Sequence, residues 1–239
     1  MNESPATLIL VRHGHTEGNE VGPEVRMSGQ TDLPLSPLGR WQAEALRNRL
    51  AAGPPAAAVY SSPLVRAEDT ARRLAGEHLG PLRLVEALQE VDCGDADGMT
   101  IAEVQARYPV LWEQNQSQLH EEFRWPGGET YSLFRRRSLE AIHWIAARHP
   151  GERVVVVTHA GVIGQLLGAL HDLSAARWDA YRPGNCSVTE VEWQGDTGLI
   201  LRFDDRTHLA NQPPLAELEA TLESTEDGAE PCPAGQTAD

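Results

Sequence analysis

The chain has 239 residues, 41% of them hydrophobic, which is enough for one large α/β domain or two small ones with a sizeable core. Its 20 basic and 35 acidic residues give a formal net charge of −15, the wrong sign for binding nucleic acid through the overall field. Every basic residue is an arginine. The missing lysine excludes Schiff-base chemistry and a phosphate-binding loop that depends on lysine.

The three cysteines, Cys93, Cys186 and Cys232, are widely spaced and form no CxxC pair. Neither a disulfide framework nor a zinc knuckle is indicated, and a reducing cytoplasm is the predicted location. No segment reaches the roughly 18 apolar residues of a membrane span, and the first residues do not resemble a signal peptide. We therefore expect neither secretion nor contact with a membrane.

In chain order, apolar runs alternate with amphipathic segments. The runs at 7–11 (TLILV) and 153–157 (RVVVV) are rich in β-branched residues, which is typical of strands buried on both faces of a parallel sheet. Shorter strands are predicted at 57–60 and 82–85, and a terminal hairpin at 187–193 and 199–203, joined through 194–198. Helices are predicted at 36–51, 63–78 and 129–148.

This order predicts an α/β fold, a three-layer α/β/α sandwich around a mostly parallel, mixed sheet. A helical insertion at about 100–125, with its helical pattern at 100–123, is expected to border one end of the sheet. The whole of residues 1–214 is predicted to be a single domain. Residues 215–239 hold seven acidic and no basic residues, and we predict that they form a disordered acidic tail.

Two predicted buried strands end in a histidine. Arg12 and His13 follow the first, and His159 and Ala160 follow the strand at 153–157, where a helix begins. In wound α/β sheets ligands bind at such strand ends, and the free N–H groups of a helix start favour an anion. With Arg66 at the start of the helix at 63–78, these residues predict a phosphate pocket. One guanidinium group can donate two parallel hydrogen bonds to two oxygens of the same phosphate.

The same segments resemble the histidine phosphatase superfamily, also called phosphoglycerate mutase-like. The opening Arg12-His13-Gly14 with Thr16 and Asn19 is similar to the family signature. Further matching segments follow in the family's order: GQTDLPLSPLGR, SSPLVRAEDT, EVDCGDADG, PGGET and VVVVTHAGV. The resemblance extends from about residue 7 to residue 208 and implies a phosphoglycerate mutase-like fold.

The resemblance implies a role for each matching residue. His13 would be the nucleophile that becomes phosphorylated, Arg12, Arg66 and His159 would bind and stabilise the phosphoryl group, and Glu90 would donate the proton to the leaving oxygen. Asn19 would be a further phosphate ligand. The remaining candidates for substrate binding are Thr16, Ser28, Gly29 and Ala160; for Thr16 the alternative is a structural role in the turn.

Three other functions stay open. A phosphoglycerate mutase would share the fold, but Val91-Asp92-Cys93 stands where that branch has an arginine-containing loop, so hydrolysis is favoured over transfer. A His13-Gly14-His15 pair after a strand can bind metal in barrel hydrolases. A silent module could bind phosphorylated ligands without turnover. The prediction is a phosphatase without metal or other cofactor that acts on small phosphorylated metabolites, with a homodimer as an open assembly.

Overall fold

The computed structural model describes residues 4–19, 22, 24–214 and 217–218. Within these residues six strands form one sheet: β1 (Ala6–Arg12), β2 (Val59–Ser61), β3 (Leu82–Leu84), β4 (Arg153–Thr158), β5 (Val188–Gln194) and β6 (Thr197–Asp205). Their order in the sheet is β3-β2-β4-β1-β5-β6. Neighbours from β3 to β1 are parallel, and β5 and β6 are antiparallel additions beside β1.

Helices cover both faces of this sheet. One apolar core lies between the sheet and the helices at Tyr131–Ala146 and Ala160–Leu170, and a second lies between the sheet and the helices at Pro37–Ala51 and Val65–Leu74. The predicted three-layer α/β/α fold with a mixed sheet is confirmed. The helices are α1 (Pro37–Ala51), α2 (Val65–Leu74), α3 (Ile101–Arg107), α4 (Pro109–Ser117), α5 (Tyr131–Ala146) and α6 (Ala160–Leu170).

The central strands β1 and β4 are buried on both faces, as their apolar sequences predict. Their parallel register places Arg12 opposite Thr158. The next residues in each chain, His13 and His159, therefore leave the sheet side by side. This register is what brings the two sequence motifs together at the carboxyl edge of the sheet.

The insertion contains two helices where the pattern at 100–123 indicates one helical segment. Thr100 begins α3 with a capping box to Glu103. Tyr108 then leaves the helical region, with φ −130° and ψ 52°, before Pro109 opens α4. A residue that precedes proline is excluded sterically from helical backbone, which explains the break.

Two other boundaries differ from the predicted ones. Helix α2 ends at Leu74, four residues early, because Gly76 and Gly80 pair through two backbone hydrogen bonds and turn the chain toward β3. The hairpin turn is tighter than 194–198, since Gln194 already pairs with Thr197. Gly195 has a φ of +58° in this turn, a conformation that favours glycine.

None of the helices in the described ranges is long and apolar enough to cross a membrane. The predicted acidic tail at 215–239 lies outside the described residues, apart from 217 and 218.

Candidate active site

His13 and His159 lie side by side at the carboxyl edge of the sheet, with their ring centroids 5.2 Å apart. Both side chains are buried, at 4% and 0% exposure. Burial lowers the pKa of His13 well below 6.5, and the nearby charges of Arg66 and Arg12 lower it further. The same causes, burial first and then Arg66, lower the pKa of His159. Both imidazoles are therefore neutral at pH 7.

The tautomer of His13 follows from its hydrogen bond. Its Nδ1 lies 2.7 Å from the carbonyl oxygen of Gly14. A carbonyl only accepts, so Nδ1 carries the proton and donates it, and Nε2 keeps its lone pair. His13 is thus held as a neutral ring with a nucleophilic nitrogen.

His159 has a second neighbour on the strand edge. Its Nε2 lies 2.8 Å from Oγ of Ser62, the residue that follows β2. Its buried Nδ1 has no hydrogen-bond partner among the described residues. Ser62, His159 and His13 are thus the residues that directly follow three adjacent parallel strands, β2, β4 and β1. Ser62 was not singled out from the sequence, although it lies in the matching segment SSPLVRAEDT.

Arg12 and Arg66 supply the positive charge of the site. Nη1 of Arg12 donates to the Pro183 carbonyl at 2.9 Å, while its buried Nε has no partner within the described residues. Burial lowers the pKa of Arg12 to about 10, aided by Arg182 and Arg66 and opposed by Glu90. The group therefore stays charged at neutral pH, in a pocket where buried donors are available for an anion.

Arg66 comes from the first turn of α2 and is only 2% exposed. Its guanidinium donates to the backbone carbonyls of Thr31, Ser28 and Gly29, at 2.8, 3.2 and 2.7 Å. Burial lowers its pKa, while Glu90 raises it. Arg66 therefore also fixes the turn that carries Ser28 and Gly29, two of the residues predicted to bind substrate.

Glu90 lies between the two arginines and the start of α6. Its Oε2 accepts from the backbone N–H of Gly161 at 3.0 Å, and its Oε1 accepts from the N–H of Val91 at 3.0 Å. The first turn of α6 was predicted to favour a negative ligand, and one of its N–H groups holds this carboxylate. A Cβ on Gly161 would lie 2.1 Å from Oε1 of Glu90, so glycine is required for this contact.

Asn19 and Thr16 form the turn after β1. Oδ1 of Asn19 accepts from the N–H and the hydroxyl of Thr16, at 3.1 and 3.2 Å, and from Nδ2 of Asn185 at 2.9 Å. Asn185 also donates to the carbonyl of His13 at 3.1 Å. The Thr16 hydroxyl is thus engaged in the turn, the structural alternative for this residue. Asn185 was not found from the sequence, since it lies outside the matching segments.

Arg137 and Glu129 form a second support that sequence reasoning missed. Arg137, on α5, donates to the carbonyls of Ala87, Gln89 and Glu90, at 3.0, 2.6 and 2.8 Å. It also pairs with both carboxylate oxygens of Glu129, whose Oε1 accepts from the N–H of Asp92 at 2.9 Å. Hydrogen bonds therefore hold the backbone of this segment both before and after Glu90 in the chain.

A cavity of about 450 Å³ adjoins this edge of the sheet. Four of the predicted site residues line it: Ser28, Gly29, Glu90 and Ala160. The structure thus places all ten candidate residues at one edge of the sheet. Within the described ranges, no group of three or more His, Cys, Asp or Glu side chains is arranged to hold a metal ion.

Comparison with known proteins identifies the family of this chain. Residues 8–206 match the model of the histidine phosphatase superfamily (branch 1). The chain is 34% identical over 211 residues, 87% of its length and 86% of the relative's, to a metal-independent phosphoserine phosphatase of Arabidopsis thaliana. It is 37% identical over 199 residues to a glucosyl-3-phosphoglycerate phosphatase of Mycobacterium tuberculosis, covering 77% of this chain and 84% of the relative.

A solved structure shares both fold and sequence with the chain. Bacillus stearothermophilus YhfR superposes with a TM-score of 0.75 at 33% identity, covering 85% of this chain and 99% of that one. The family match over residues 8–206 includes all of the histidines and arginines described above. The chain belongs to the histidine phosphatase superfamily, branch 1.

Proposed function

We propose that this protein hydrolyses phosphomonoesters of small metabolites in two steps, without a metal, through a phosphohistidine at His13. The observation that carries the proposal is the hydrogen bond from His13 Nδ1 to the Gly14 carbonyl. It leaves Nε2 as a neutral nucleophile inside a ring of fixed positive charge. Relatives named as phosphoserine and glucosyl-3-phosphoglycerate phosphatases support a small phosphorylated substrate.

In the first step, the lone pair on Nε2 of His13 attacks phosphorus and the bond to the ester oxygen breaks. Glu90 gives its proton to that oxygen, so that the alcohol leaves neutral. Arg12, Arg66 and His159 stabilise the negative charge on the transferring phosphoryl group, and Asn19 supports the turn beside it. Fixed donors in a buried site serve this purpose without reorganising.

In the second step, the carboxylate of Glu90 takes a proton from water, whose oxygen attacks the phosphorus of phospho-His13. The P–N bond breaks, inorganic phosphate leaves and Glu90 is again protonated. Glu90 suits both steps because it lines the adjoining cavity, which we assign as the route for the departing alcohol and the incoming water. The same carboxyl group thus acts as acid and then as base.

The test is the mass of the intact protein, quenched after brief incubation with an activated phosphoester. We expect a phosphoryl adduct that is labile to acid on the wild type and on His120→Ala, a variant at an exposed histidine, and none on His13→Ala. Chelator should change neither result. An adduct on His13→Ala, or turnover that chelator abolishes, would contradict the proposal.

Measuring the products released in the same incubations distinguishes hydrolysis from phosphoryl transfer. A phosphatase releases one inorganic phosphate for each ester consumed, whereas a mutase returns the phosphoryl group to an alcohol. We expect one inorganic phosphate for each alcohol released from the ester, even when a second, free alcohol is added as a possible acceptor. A ratio of phosphate to released alcohol that falls with added acceptor would indicate transfer.

A further inference from the structure

The cavity beside Glu90 extends the proposed active site away from the phosphate pocket. Glu90 lies on its wall together with Ala160 and Gly161 at the start of α6. The charge of Glu90 also acts on Arg12 and Arg66, where it opposes the burial that lowers the pKa of both guanidinium groups. An ester oxygen that receives a proton from Glu90 therefore has the phosphate pocket on one side and this cavity on the other.

The cavity is larger than a three-carbon alcohol needs. Its volume of about 450 Å³ falls within the range of roughly 300–1,000 Å³ that is typical of sites for drug-sized ligands. A leaving group as small as serine would leave much of this apolar wall without contacts. The volume therefore indicates a larger organic group on the leaving oxygen.

The walls of the cavity are unusually aromatic for this chain. Only 5% of its residues are aromatic, yet three of the six tryptophans and two of the three phenylalanines line the cavity. Aromatic walls favour a planar ring, which can stack on them or approach them edge-on. The aromatic side chains are Trp112, Phe123, Trp125, Tyr131, Phe134 and Trp178.

These rings are held in place before any ligand binds. Phe123 packs edge-on against Trp125 at a centroid distance of 5.1 Å and stacks on Tyr131 at 5.6 Å. Asn115 on α4 accepts a hydrogen bond from the hydroxyl of Tyr131, and its carbonyl accepts one from the indole N–H of Trp178. The insertion is thus fastened to the rest of the cavity wall, so a ring enters a site that is already ordered.

The charges around the cavity do not suit a polar leaving group at its centre. Glu129 on the wall is already paired with Arg137. Two arginines, Arg124 and Arg182, are exposed and border the cavity, where they keep their charges in water. Apart from Asn115, whose side chain already binds Tyr131, the buried part of the wall is mainly apolar, while its border is positive and attracts a phosphate ester.

We propose that the preferred substrate is a phosphomonoester whose alcohol carries an aromatic ring system, and that this ring binds in the cavity lined by Trp112, Trp125 and Trp178. The proposal rests on the phosphatase function proposed above. It names the class of the leaving group rather than a particular metabolite.

The test compares esters whose alcohols leave equally well. In 2-(1-naphthyl)ethyl phosphate and ethyl phosphate, two methylenes separate the ring or hydrogen from the reacting oxygen, so the difference between them measures binding of the ring. We expect kcat/KM for the naphthyl ester to exceed that for ethyl phosphate and for phosphoserine by at least 30-fold. Equal values, or faster turnover of phosphoserine, would overturn the proposal.

Variants locate the ring in the cavity. Trp112 and Trp178 are half-buried, so their replacement is compatible with folding. Trp112→Ala and Trp178→Ala should each lower kcat/KM for the naphthyl ester at least tenfold and change that for ethyl phosphate less than threefold. Trp112→Phe should keep most of the wild-type kcat/KM for the naphthyl ester. The matched control is Trp144→Ala on α5, a tryptophan that is 43% exposed and does not line the cavity.

The outcomes separate this proposal from the phosphatase function. Turnover of ethyl phosphate and phosphoserine with no preference for the ring would leave the phosphatase function intact and overturn the aromatic substrate. A preference for the ring that survives both tryptophan variants would overturn the assignment to this cavity. No turnover of any ester, and no phosphoenzyme, would overturn both.

Discussion

Nη2 of Arg137 donates a hydrogen bond of 2.8 Å to the backbone carbonyl of Glu90, so a helix on one face of the sheet holds the proposed acid in place. The same guanidinium grips the carbonyls of Ala87 and Gln89 and the carboxylate of Glu129. Arg137 contacts neither of the Glu90 carboxylate oxygens in the described structure. We therefore regard it as a positioning residue.

Arg137→Ala should lower kcat for alkyl phosphates by about 10- to 100-fold, the scale expected for a misplacement near 1 Å. KM should change less than threefold, because the phosphate ligands stay in place. An aryl ester with a good leaving group, such as p-nitrophenyl phosphate, needs no proton and should lose far less. Steady-state kinetics on both esters measures this difference.

The matched control is Arg136→Ala, at the exposed neighbour on α5, which should leave both rates unchanged. Arg137→Lys should not restore the rate, since an ammonium group cannot replace a planar fork that binds four partners. An equal loss on both esters would contradict the positioning role and indicate general damage to the fold.

Gly161→Ala should displace the Glu90 carboxylate without unfolding the protein. The added Cβ would lie 2.1 Å from Oε1 and 2.9 Å from Cδ of Glu90, and the end of a glutamate side chain can move. Alanine also favours helix more than glycine by about 1 kcal/mol, so thermal stability should be kept. We expect a loss of about 10-fold or more in kcat for alkyl phosphates, measured beside Tm.

Gly53→Ala is the control for this substitution. Its Cβ would meet the nearest atom, the Leu50 carbonyl oxygen, at 3.5 Å, an ordinary contact remote from the site. It should change neither kcat nor Tm appreciably. Wild-type kcat in Gly161→Ala would show that the contact between Gly161 and Glu90 is not needed for turnover.

Acid should destabilise the protein through His13 and His159. Burial lowers the pKa of both below the ordinary value of 6.5. Below pH 6.5 the unfolded chain therefore binds protons that the folded protein does not, and the free energy of unfolding falls as pH decreases. Each histidine contributes up to about 1.4 kcal/mol per pH unit. Half-buried His208, whose pKa burial also lowers, adds a smaller contribution of the same sign.

Urea unfolding measures how steeply the free energy of unfolding changes with pH. The interval from pH 7.5 to 5 lies above the range in which ordinary carboxylates titrate. His13→Gln and His159→Gln should each reduce the slope, whereas His120→Gln, at an exposed position, should leave it unchanged. A slope that neither buried variant alters would show that other groups take up the protons.

Ser62→Ala should weaken binding of the phosphoryl group. It removes the hydrogen bond of 2.8 Å between Ser62 Oγ and His159 Nε2 and frees the ring to reorient. We expect kcat/KM to fall about tenfold and inhibition by inorganic phosphate to weaken several-fold. Ser61→Ala is the control, because this buried neighbour donates only to the Ser62 carbonyl at 2.8 Å. Equal effects of the two substitutions would point to loss of packing instead.

The family, the three-layer fold and the phosphatase class were predictable from the sequence because strong local signals carry them. Strands β1 and β4 are short apolar runs, and each delivers a histidine motif to its end. The break between α3 and α4 also has a local signal in Pro109, which the interpretation of 100–123 as one helical segment leaves unused. The phosphate-binding and catalytic roles of the ten site residues stay predictions.

The supports of the site could not be predicted, because they depend on how distant elements face each other. Arg135, Arg136 and Arg137 are equivalent as sequence, yet helical spacing directs them to different sides of α5. Arg135 contacts the carbonyl of Ser174 at 3.1 Å, Arg136 is exposed and Arg137 reaches Glu90. Likewise, the pairing of the strands is what brings Asn185 to the His13 carbonyl and Ser62 to the His159 ring.

The two helices of the insertion, α3 and α4, lie outside the strands and turns that hold His13, His159 and Arg66. Under the proposed function, the reaction takes place at the strand ends, while α4 contributes Trp112, Asn115 and Gln116 to the cavity wall. Substitutions in α4 can reshape the cavity wall while the strand ends stay as they are, since β1 and β4 are fixed by their own ladder. The rest of the wall comes from outside these two helices, Trp125, Tyr131 and Trp178 among others, so α4 is one of several segments through which the proposed selectivity for the alcohol can change.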